Sequence, residues 1–198
     1  MRLTLLAILL VGCSGADVEA PPEALPSEDE VHTEHRPRGT DIWRLRSDHT
    51  LRTDIQRALA QARERGTRVL LEFGADWCDD CNEVARLLAE SPAKDVSESD
   101  YEVVYIHVGR FDRHEDLLER YRVERIATLV VLSSDGRRVA QTTLEPISGV
   151  RGLTSEALAQ WLRSPRDAWR RPEPAPGTPP PDDSPIFPPD VVPQVEQM

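Results

Sequence analysis

The feature that most constrains the fold is a short apolar run that ends just before a close pair of cysteines. Residues 68–73 are rich in strand-forming side chains and have the length of a buried strand. After a short turn, Cys78 and Cys81 stand three positions apart, where apolar residues begin to recur at helical spacing. We therefore predict a buried strand followed by a helix, with both cysteines in the first turn of that helix.

The rest of the central chain alternates between helical and strand patterns. Four helices are predicted from apolar spacing and capping residues: 48–65, 78–90, 112–121 and a last helix that begins at Thr154 or Ser155. Asp112 and Glu115 match a capping box at the start of the third. Four strands are predicted from short apolar runs, the last two joined by a hairpin turn: 68–73, 101–108, 126–132 and 137–142. This order predicts an α/β domain with a central mixed β-sheet flanked by helices on both faces.

The formal charge of −11 is confined to the two ends of the chain. Residues 14–35 contain 7 acidic side chains and residues 172–198 contain 5, and neither segment has a lysine or an arginine. Residues 36–171 contain 23 acidic and 23 basic side chains. The central region therefore lacks the positive excess of a nucleic-acid-binding surface, and we expect no nucleic-acid partner.

The first residues have the pattern of an export signal. The apolar run after Arg2 is much shorter than the ~20 residues that a membrane-spanning helix requires. The sequence Leu-Val-Gly-Cys at 10–13 resembles the lipobox of bacterial lipoproteins, in which the cysteine is acylated and becomes the first residue of the mature chain. The resemblance implies a lipoprotein signal peptide over 1–12 and a lipidated Cys13. It also implies a location in the cell envelope facing the periplasm, with Ser14 favouring the outer membrane.

Composition divides the remainder into three parts. Residues 13–38 are rich in Pro, Glu and Asp and poor in large apolar side chains, which predicts a flexible acidic tether. Residues 39–165 are long enough for one core and form the predicted α/β domain. The last 27 residues hold 10 of the 17 prolines, so a disordered Pro-rich tail is predicted over 166–198. Its apolar positions 186–187 and 191–192 are where a partner would bind.

The cysteine pair bears the chemistry. Outside the cytosol, a close pair of thiols is either oxidised to a disulfide or actively kept reduced. Cys78 would lie at the positive end of the helix dipole, which stabilises the thiolate that attacks disulfides. Cys81, one turn further in and more buried, suits a resolving thiol. This spacing also occurs in half of a zinc site, but the sequence has no second Cys pair and no His pair at ligand spacing, which argues against tetrahedral zinc.

Residues 69–81 closely resemble the strand and active-site turn of the thioredoxin family, and their Ala-Asp-Trp-Cys version is similar to the periplasmic thiol:disulfide interchange reductases. Residues 118–136 resemble the later helix, strand and hairpin of that family. The resemblance implies a thioredoxin-like fold in which Cys78 is the nucleophile and Cys81 the resolving thiol. It places Glu72 at the family's buried acid, usually Asp, which takes and returns the Cys81 proton. An outward-facing strand residue is the other interpretation of Glu72.

The loop opposite the cysteines departs from the family pattern. The family has a cis-proline before a threonine, whereas this chain has Ala127 before Thr128. A cis bond before a residue other than proline costs ~3 kcal/mol or more, so we predict a trans Ile126–Ala127 bond, or else a cis bond held under strain. In the family this loop presents backbone groups to the substrate. Ala127 and Thr128 are therefore assigned to substrate binding, together with Trp77, an aromatic residue predicted to be exposed beside the cysteines.

The dipeptide between the cysteines, Asp79-Asp80, is a second departure. Two carboxylates disfavour the Cys78 thiolate, while the helix dipole favours it. Destabilising the reduced, anionic form lowers the reduction potential, which favours a reductant over an oxidant. We therefore expect Asp79 and Asp80 to tune the redox couple, and we expect a higher pKa for the Cys78 thiol than in an oxidant of this fold.

Together these features predict a membrane-tethered, extracytoplasmic thiol:disulfide oxidoreductase, and more specifically a reductase. Its substrates would be disulfides in partner proteins, and its electrons would come from another thiol protein, such as a membrane-embedded transporter. It would need no cofactor beyond a redox-active Cys78–Cys81 disulfide. The alternative is a non-enzymatic thioredoxin-like binding module, or a Cu(I) chaperone in which His107 joins the two thiols, because thiolates select Cu(I). A structural or surface histidine is the simpler interpretation of His107.

Overall fold

The computed structural model describes residues 42–148, 152–167 and 183–187. The predicted signal peptide, the lipidated Cys13 and the acidic tether lie outside these residues, as does most of the Pro-rich tail. In the described part of the chain, no helix is both long enough and apolar enough to cross a membrane.

The described residues form six helices and four strands. The helices are α1 (Asp48–Arg65), α2 (Asp79–Leu88), α3 (Ala93–Asp100), α4 (Glu115–Tyr121), α5 (Glu145–Ser148) and α6 (Ser155–Arg163). The strands are β1 (Arg68–Gly74), β2 (Tyr101–His107), β3 (Thr128–Leu132) and β4 (Arg138–Thr143). All the predicted helices and strands are present, and their ends are shifted by at most three residues.

The four strands form one mixed sheet in the order β2-β1-β3-β4. β1 pairs in parallel with β2 and antiparallel with β3, and β3 and β4 form the predicted hairpin. β1 is thus a central strand, and every residue in it except Arg68 is buried. Burial on both faces explains why its sequence is apolar throughout rather than alternating. The α/β fold with a mixed sheet, predicted from the sequence, is confirmed.

The sheet separates two apolar cores, and side-chain alternation along β1 assigns residues to each. Val69, Leu71 and Phe73 belong to a core that α1 and α4 complete. Leu70 belongs to the other core, which α2, α3 and α6 complete and which contains both cysteines. Helices therefore cover both faces of the sheet, and the cysteine pair lies on the α2 face.

Capping side chains begin the helices where the sequence predicts them. The Ser47 hydroxyl accepts a hydrogen bond from the Thr50 N–H at 3.2 Å, so α1 starts at the next residue after Ser47. Gly66 ends α1 with φ at 71°, a left-handed conformation that favours glycine. The Thr154 hydroxyl accepts from the Ala157 N–H at 3.2 Å and begins α6.

The fourth helix starts later than predicted. The sequence predicts a capping box at Asp112 and Glu115, but α4 begins at Glu115 with His114 before it. Asp112 instead accepts a hydrogen bond from the Arg110 N–H at 2.8 Å and closes the preceding turn. The capping-box prediction is therefore wrong, because the Asp112 carboxylate is used within its own loop.

Helices α3 and α5 have no counterpart in the prediction. α3 is rich in charged residues and buries only Ala93, Val96 and Ser97, so its sequence shows little apolar periodicity. The Ser155 hydroxyl holds its start, accepting from the Ala93 N–H at 2.9 Å and donating to the Glu90 carbonyl at 2.8 Å. Ser155 lies 62 positions away from Ala93, so this stabilisation is tertiary and leaves no local signal.

The peptide bond between Ile126 and Ala127 is cis. The prediction of a trans bond is therefore wrong, and the cis alternative is the one found. Ala127 is 2% exposed and lies in the core cluster that contains the cysteines. Pairing of β3 begins at Thr128, whose hydroxyl donates to the Arg125 carbonyl at 2.7 Å. The trans preference belongs to the isolated dipeptide, whereas the loop here is fixed by its tertiary neighbours.

A short piece of the Pro-rich tail packs on the domain. Ile186 and Phe187 contact the core on the α1 face, and the Ile186 N–H donates to the Gly136 carbonyl at 3.1 Å. Residues 183–187 therefore differ from the disordered tail predicted over 166–198. The physical reason is that the two apolar side chains are partly buried against the domain itself.

Candidate redox site

Cys78 and Cys81 form a disulfide at the start of α2, with their Cα atoms 5.3 Å apart. Cys78 is the N-cap of α2, and its Sγ accepts a hydrogen bond from the Cys81 N–H at 3.2 Å. Cys78 is 8% exposed and Cys81 is 0% exposed. In the reduced protein, this N–H and the positive end of the helix dipole would stabilise a thiolate on Cys78. Cys78 is therefore placed to attack a disulfide, with Cys81 behind it.

Glu72 is buried on the same side of the sheet as the cysteines. It lies two residues after Leu70 on β1, so its side chain points into the core that contains Cys78 and Cys81. It is 0% exposed, and neither of its carboxyl oxygens has a hydrogen-bond partner among the described residues. Burial raises the pKa of Glu72 well above its ordinary value. Glu72 is thus no outward-facing residue, while its role as a proton shuttle stays a prediction.

Tyr105 is the neighbour of Glu72 on β2 and lies opposite it in the register of β1 and β2. Burial, and then the negative charge of Glu72, raise the pKa of Tyr105 above its ordinary range. The Tyr105 ring packs edge-to-face on Trp43, with the ring centroids 5.5 Å apart. The carboxyl of Glu72 is thus fully buried on the face of this apolar core, and that burial is the physical cause of its raised pKa.

Three residues pack around the cysteine pair without a functional role in the sequence prediction: Gly74, Trp43 and Asn82. A Cβ atom at Gly74 would lie 2.3 Å from the Trp43 ring and 2.9 Å from the Cys81 Cβ, so a larger residue does not fit. The Trp43 indole N–H donates to Asn82 Oδ1 at 2.9 Å. A glycine at the end of a predicted strand is the one sequence signal for this close packing. Trp43, which precedes the first helix, gives no such signal.

Trp77 is half-exposed beside the cysteines, as predicted. Its indole is 49% exposed, and its Nε1–H donates to the Gly109 carbonyl at 3.1 Å. The Arg110 guanidinium lies 5.6 Å from the ring centroid. The indole is thus held by its nitrogen while part of it stays open to solvent. A role in substrate binding stays a prediction for Trp77.

His107 lies at the end of β2, opposite Gly74 in the register. It is 7% exposed, and both ring nitrogens are engaged. Nδ1 accepts from the Gly109 N–H at 3.0 Å, and Nε2 lies 3.1 Å from Asp76 Oδ1. Among the residues that the structure describes, no group of three or more His, Cys, Asp or Glu side chains is arranged to hold a metal ion. The structure therefore does not bring His107 together with the cysteines as a copper ligand.

A groove of about 400 Å³ lies next to the acidic dipeptide and the cis peptide loop. Its lining includes Asp80, Ile126 and Ala127 together with residues of the segment 143–148. Ala127 and Thr128 are buried, at 2% and 1% exposure, and only Ala127 of the two lines this groove. Ala127 thus lies at the groove, whereas the Thr128 hydroxyl is used within the loop.

Asp79 and Asp80 lie in the first turn of α2, between the two cysteines. Both side chains are exposed, so water screens their charges. Negative charge at a helix N-terminus is also favoured by the helix dipole. The structure therefore brings both carboxylates close to Cys78 without burying them, and their influence on the redox couple stays a prediction.

The domain has a mixed sheet covered on both faces, and a disulfide lies at the start of the helix that follows its central strand. These two features define a dithiol redox domain. Residues 50–130 match the family model described as thioredoxin-like. The domain is therefore thioredoxin-like in both its sequence and its fold, and the predicted family resemblance is confirmed. The match and the Cys78–Cys81 disulfide together support thiol:disulfide oxidoreductase activity in general.

The fold is similar to that of a solved structure. A disulphide isomerase from Xylella fastidiosa Temecula1 is 27% identical over 61% of this chain and 94% of its own, with a TM-score of 0.53. The germline-specific thioredoxin Deadhead from Drosophila melanogaster is 27% identical over 60% of this chain and 97% of its own, with a TM-score of 0.42. No curated protein matches the sequence.

Proposed function

We propose that the protein is an extracytoplasmic thiol:disulfide oxidoreductase that reduces disulfides in partner proteins. The observation that carries the proposal is the hydrogen bond from the Cys81 N–H to Cys78 Sγ, at 3.2 Å, at the start of α2. The backbone donor and the helix dipole both favour negative charge on that sulfur, which activates it toward disulfides. The thioredoxin-like match and the similarity to a disulphide isomerase support protein disulfides as the substrate class.

The reaction consists of two exchange steps. The Cys78 thiolate attacks one sulfur of the client disulfide, forms a mixed disulfide and releases the other client sulfur as a thiolate. The Cys81 thiolate then attacks the Cys78 sulfur, releases the second client thiolate and leaves the Cys78–Cys81 disulfide. Two electrons pass to the client, whose thiolates take up the protons that the two cysteines lost. Glu72, whose burial raises its pKa, takes the Cys81 proton in its ionised form during the second step and releases it to solvent, from which the client thiolates are protonated. It returns a proton to Cys81 when the disulfide is reduced again.

The direction and the location are part of the proposal. Asp79 and Asp80 disfavour the reduced, anionic form of the couple, which supports a reductase rather than an oxidase. The lipobox-like residues 10–13 support a lipid anchor at Cys13, with the domain in the cell envelope facing the periplasm. A thiol protein must then supply electrons from outside this chain, and a membrane-embedded transporter is the class of donor that fits an anchored domain.

Catalysed reduction of insulin by dithiothreitol tests the activity. We expect the full chain to accelerate the reduction and the Cys78→Ser variant to be inactive. Activity no higher than that of dithiothreitol alone would refute the proposal. Stoichiometric Cu(I) uptake by the reduced protein, lost in both single cysteine variants, would then favour the chaperone alternative.

Fatty-acid labelling in a bacterial host tests the anchor. The wild-type chain should incorporate an alkyne-tagged fatty acid, and the Cys13→Ser variant should not. Equal labelling of the two chains would place the lipid elsewhere, and no labelling of either would remove the anchor from the proposal.

A further inference from the structure

Neither exchange step uses His107, which is buried within a hydrogen-bond network beside the active-site turn. Nδ1 of the ring accepts from the Gly109 N–H at 3.0 Å. A backbone N–H can only donate, so Nδ1 is unprotonated and the neutral ring has its proton on Nε2. The 3.1 Å contact between Nε2 and Asp76 Oδ1 is therefore a hydrogen bond that His107 donates.

The same network holds both flanks of the active-site turn. The Gly109 carbonyl accepts from the Trp77 indole N–H at 3.1 Å, so Gly109 connects the His107 ring to the exposed tryptophan. The Asp76 carbonyl accepts from Asn82 Nδ2 at 2.9 Å, so Asp76 connects the His107 ring to α2. The His107 ring thus links Asp76, the residue before Trp77, to Gly109, whose carbonyl holds the Trp77 indole.

Exposure argues that this contact serves more than stability. The His107 side chain is 8% exposed, whereas the Asp76 side chain is 71% exposed. A contact to a carboxylate that is mostly in water adds little to stability. Its clearer effect is on orientation, because a buried ring with both nitrogens engaged restricts an otherwise mobile side chain two residues before Cys78.

We propose that His107 is a positioning residue for the redox site. Through Asp76 and Gly109, it fixes the approach to Cys78 and the Trp77 indole in the orientation that a client disulfide meets. The proposal rests on the proposed oxidoreductase function. Since His107 touches neither sulfur in the network described, it acts on client binding rather than on electron transfer. Its loss should raise the KM for a protein disulfide about tenfold, with little change in kcat.

Three substitutions separate the two bonds of the ring. His107→Ala removes both. His107→Asn places an amide oxygen near the position of Nδ1 and can keep the bond from Gly109. His107→Gln places an amide nitrogen near the position of Nε2 and can keep the bond to Asp76. Each amide variant should have a KM between those of wild type and His107→Ala. If His107→Ala does not fold, either amide variant can be compared with wild type in its place.

His114 provides a matched control on the other face of the sheet. It is 5% exposed and its Nδ1 lies 2.6 Å from Asp48 Oδ1, so it is also a buried histidine paired with an exposed aspartate. His114→Ala should lower the unfolding midpoint and leave the KM for insulin unchanged. If His107→Ala behaves in the same way, with a lower midpoint but an unchanged KM, the role of His107 is structural and the proposal is overturned.

The measurements are KM and kcat for insulin, the reduction potential of the Cys78–Cys81 couple, and the unfolding midpoint. A higher KM with kcat and potential unchanged supports the proposal, whereas a lower kcat or a shifted potential with KM unchanged overturns it. If wild type has no activity, the proposed function has failed, and NMR still decides the positioning role. Faster solvent exchange of the Trp77 indole proton in His107→Ala, assigned with Trp77→Phe, would support it, and unchanged exchange would overturn it.

Discussion

The carboxyl of Glu72 gives the sharpest prediction, because it is buried without a partner. It is 0% exposed, neither oxygen has a hydrogen-bond partner among the described residues, and burial raises its pKa well above 4.5. Since the pKa is higher in the folded state, the contribution of Glu72 to stability is fully present below the unfolded value. It is lost as the pH rises toward the folded pKa. Within that window, the free energy of unfolding falls by about 1.4 kcal/mol per pH unit.

Glu72→Gln removes this slope, because glutamine does not ionise. The free energy of unfolding of the variant minus that of wild type should rise by about 1.4 kcal/mol for each pH unit above ~4.5. It should become constant once the folded pKa is passed. Urea unfolding of the oxidised proteins between pH 4 and 8 measures this difference. Glu64→Gln, on the exposed surface of α1, is the matched control.

Activity should change in the opposite direction. Without a proton acceptor for Cys81, the second exchange step should slow by about 10²-fold, as is typical when an acid–base group is removed. Glu72→Gln would then be more stable than wild type near neutral pH and also slower. If the free energies of unfolding of Glu72→Gln and wild type change with pH in parallel, the reasoning is refuted. Such a result would show that Glu72 ionises equally readily in the folded and unfolded chains.

The cysteines, the acidic dipeptide and the tail give three further predictions. Cys81→Ser should accumulate a mixed disulfide with the client, visible on non-reducing gels and absent when Cys78 is also replaced; a free client would contradict the assigned order of attack. Replacing Asp79 and Asp80 with Asn should raise the reduction potential by roughly 10–20 mV for each charge, measured by equilibration with glutathione, and a lower potential would count against a tuning role. Ile186→Ala should lower the free energy of unfolding by about 1 kcal/mol in urea titrations, and no change would mean that the segment does not pack in solution.

The sequence predicts β1 and the start of α2 well, because their signals are local. The apolar run of β1 is long enough to specify a strand that is buried on both faces. The position of Cys78 just before a helix is enough to predict a sulfur near free backbone N–H groups, and the Cys81 N–H does donate to it. The greater burial of Cys81 follows from the same helical geometry.

Other parts of the site depend on contacts that no local pattern contains. The cis bond before Ala127 goes against the preference of the dipeptide and is found where the loop packs into the core with the cysteines. His107 looks like an isolated histidine in a strand, and its role emerges only when the loop after β2 reaches the active-site turn. Ile186 is predicted to lie in a disordered tail, whereas it packs against the domain's own core.

The opposing charges around Cys78 can be ranked by where each group lies. The Cys81 N–H reaches the sulfur at 3.2 Å inside the protein, and a buried hydrogen bond to a charged group is worth about 1.5–3 kcal/mol. Asp79 and Asp80 are exposed, and an exposed charge interacts with a neighbour by about 0–1 kcal/mol. The backbone donor therefore outweighs the dipeptide, so the two carboxylates adjust the reduction potential without preventing the thiolate. Salt screens exposed charges but not a buried N–H. The effect of Asp79 and Asp80 on the reduction potential should therefore weaken as ionic strength rises, while Cys78 stays reactive.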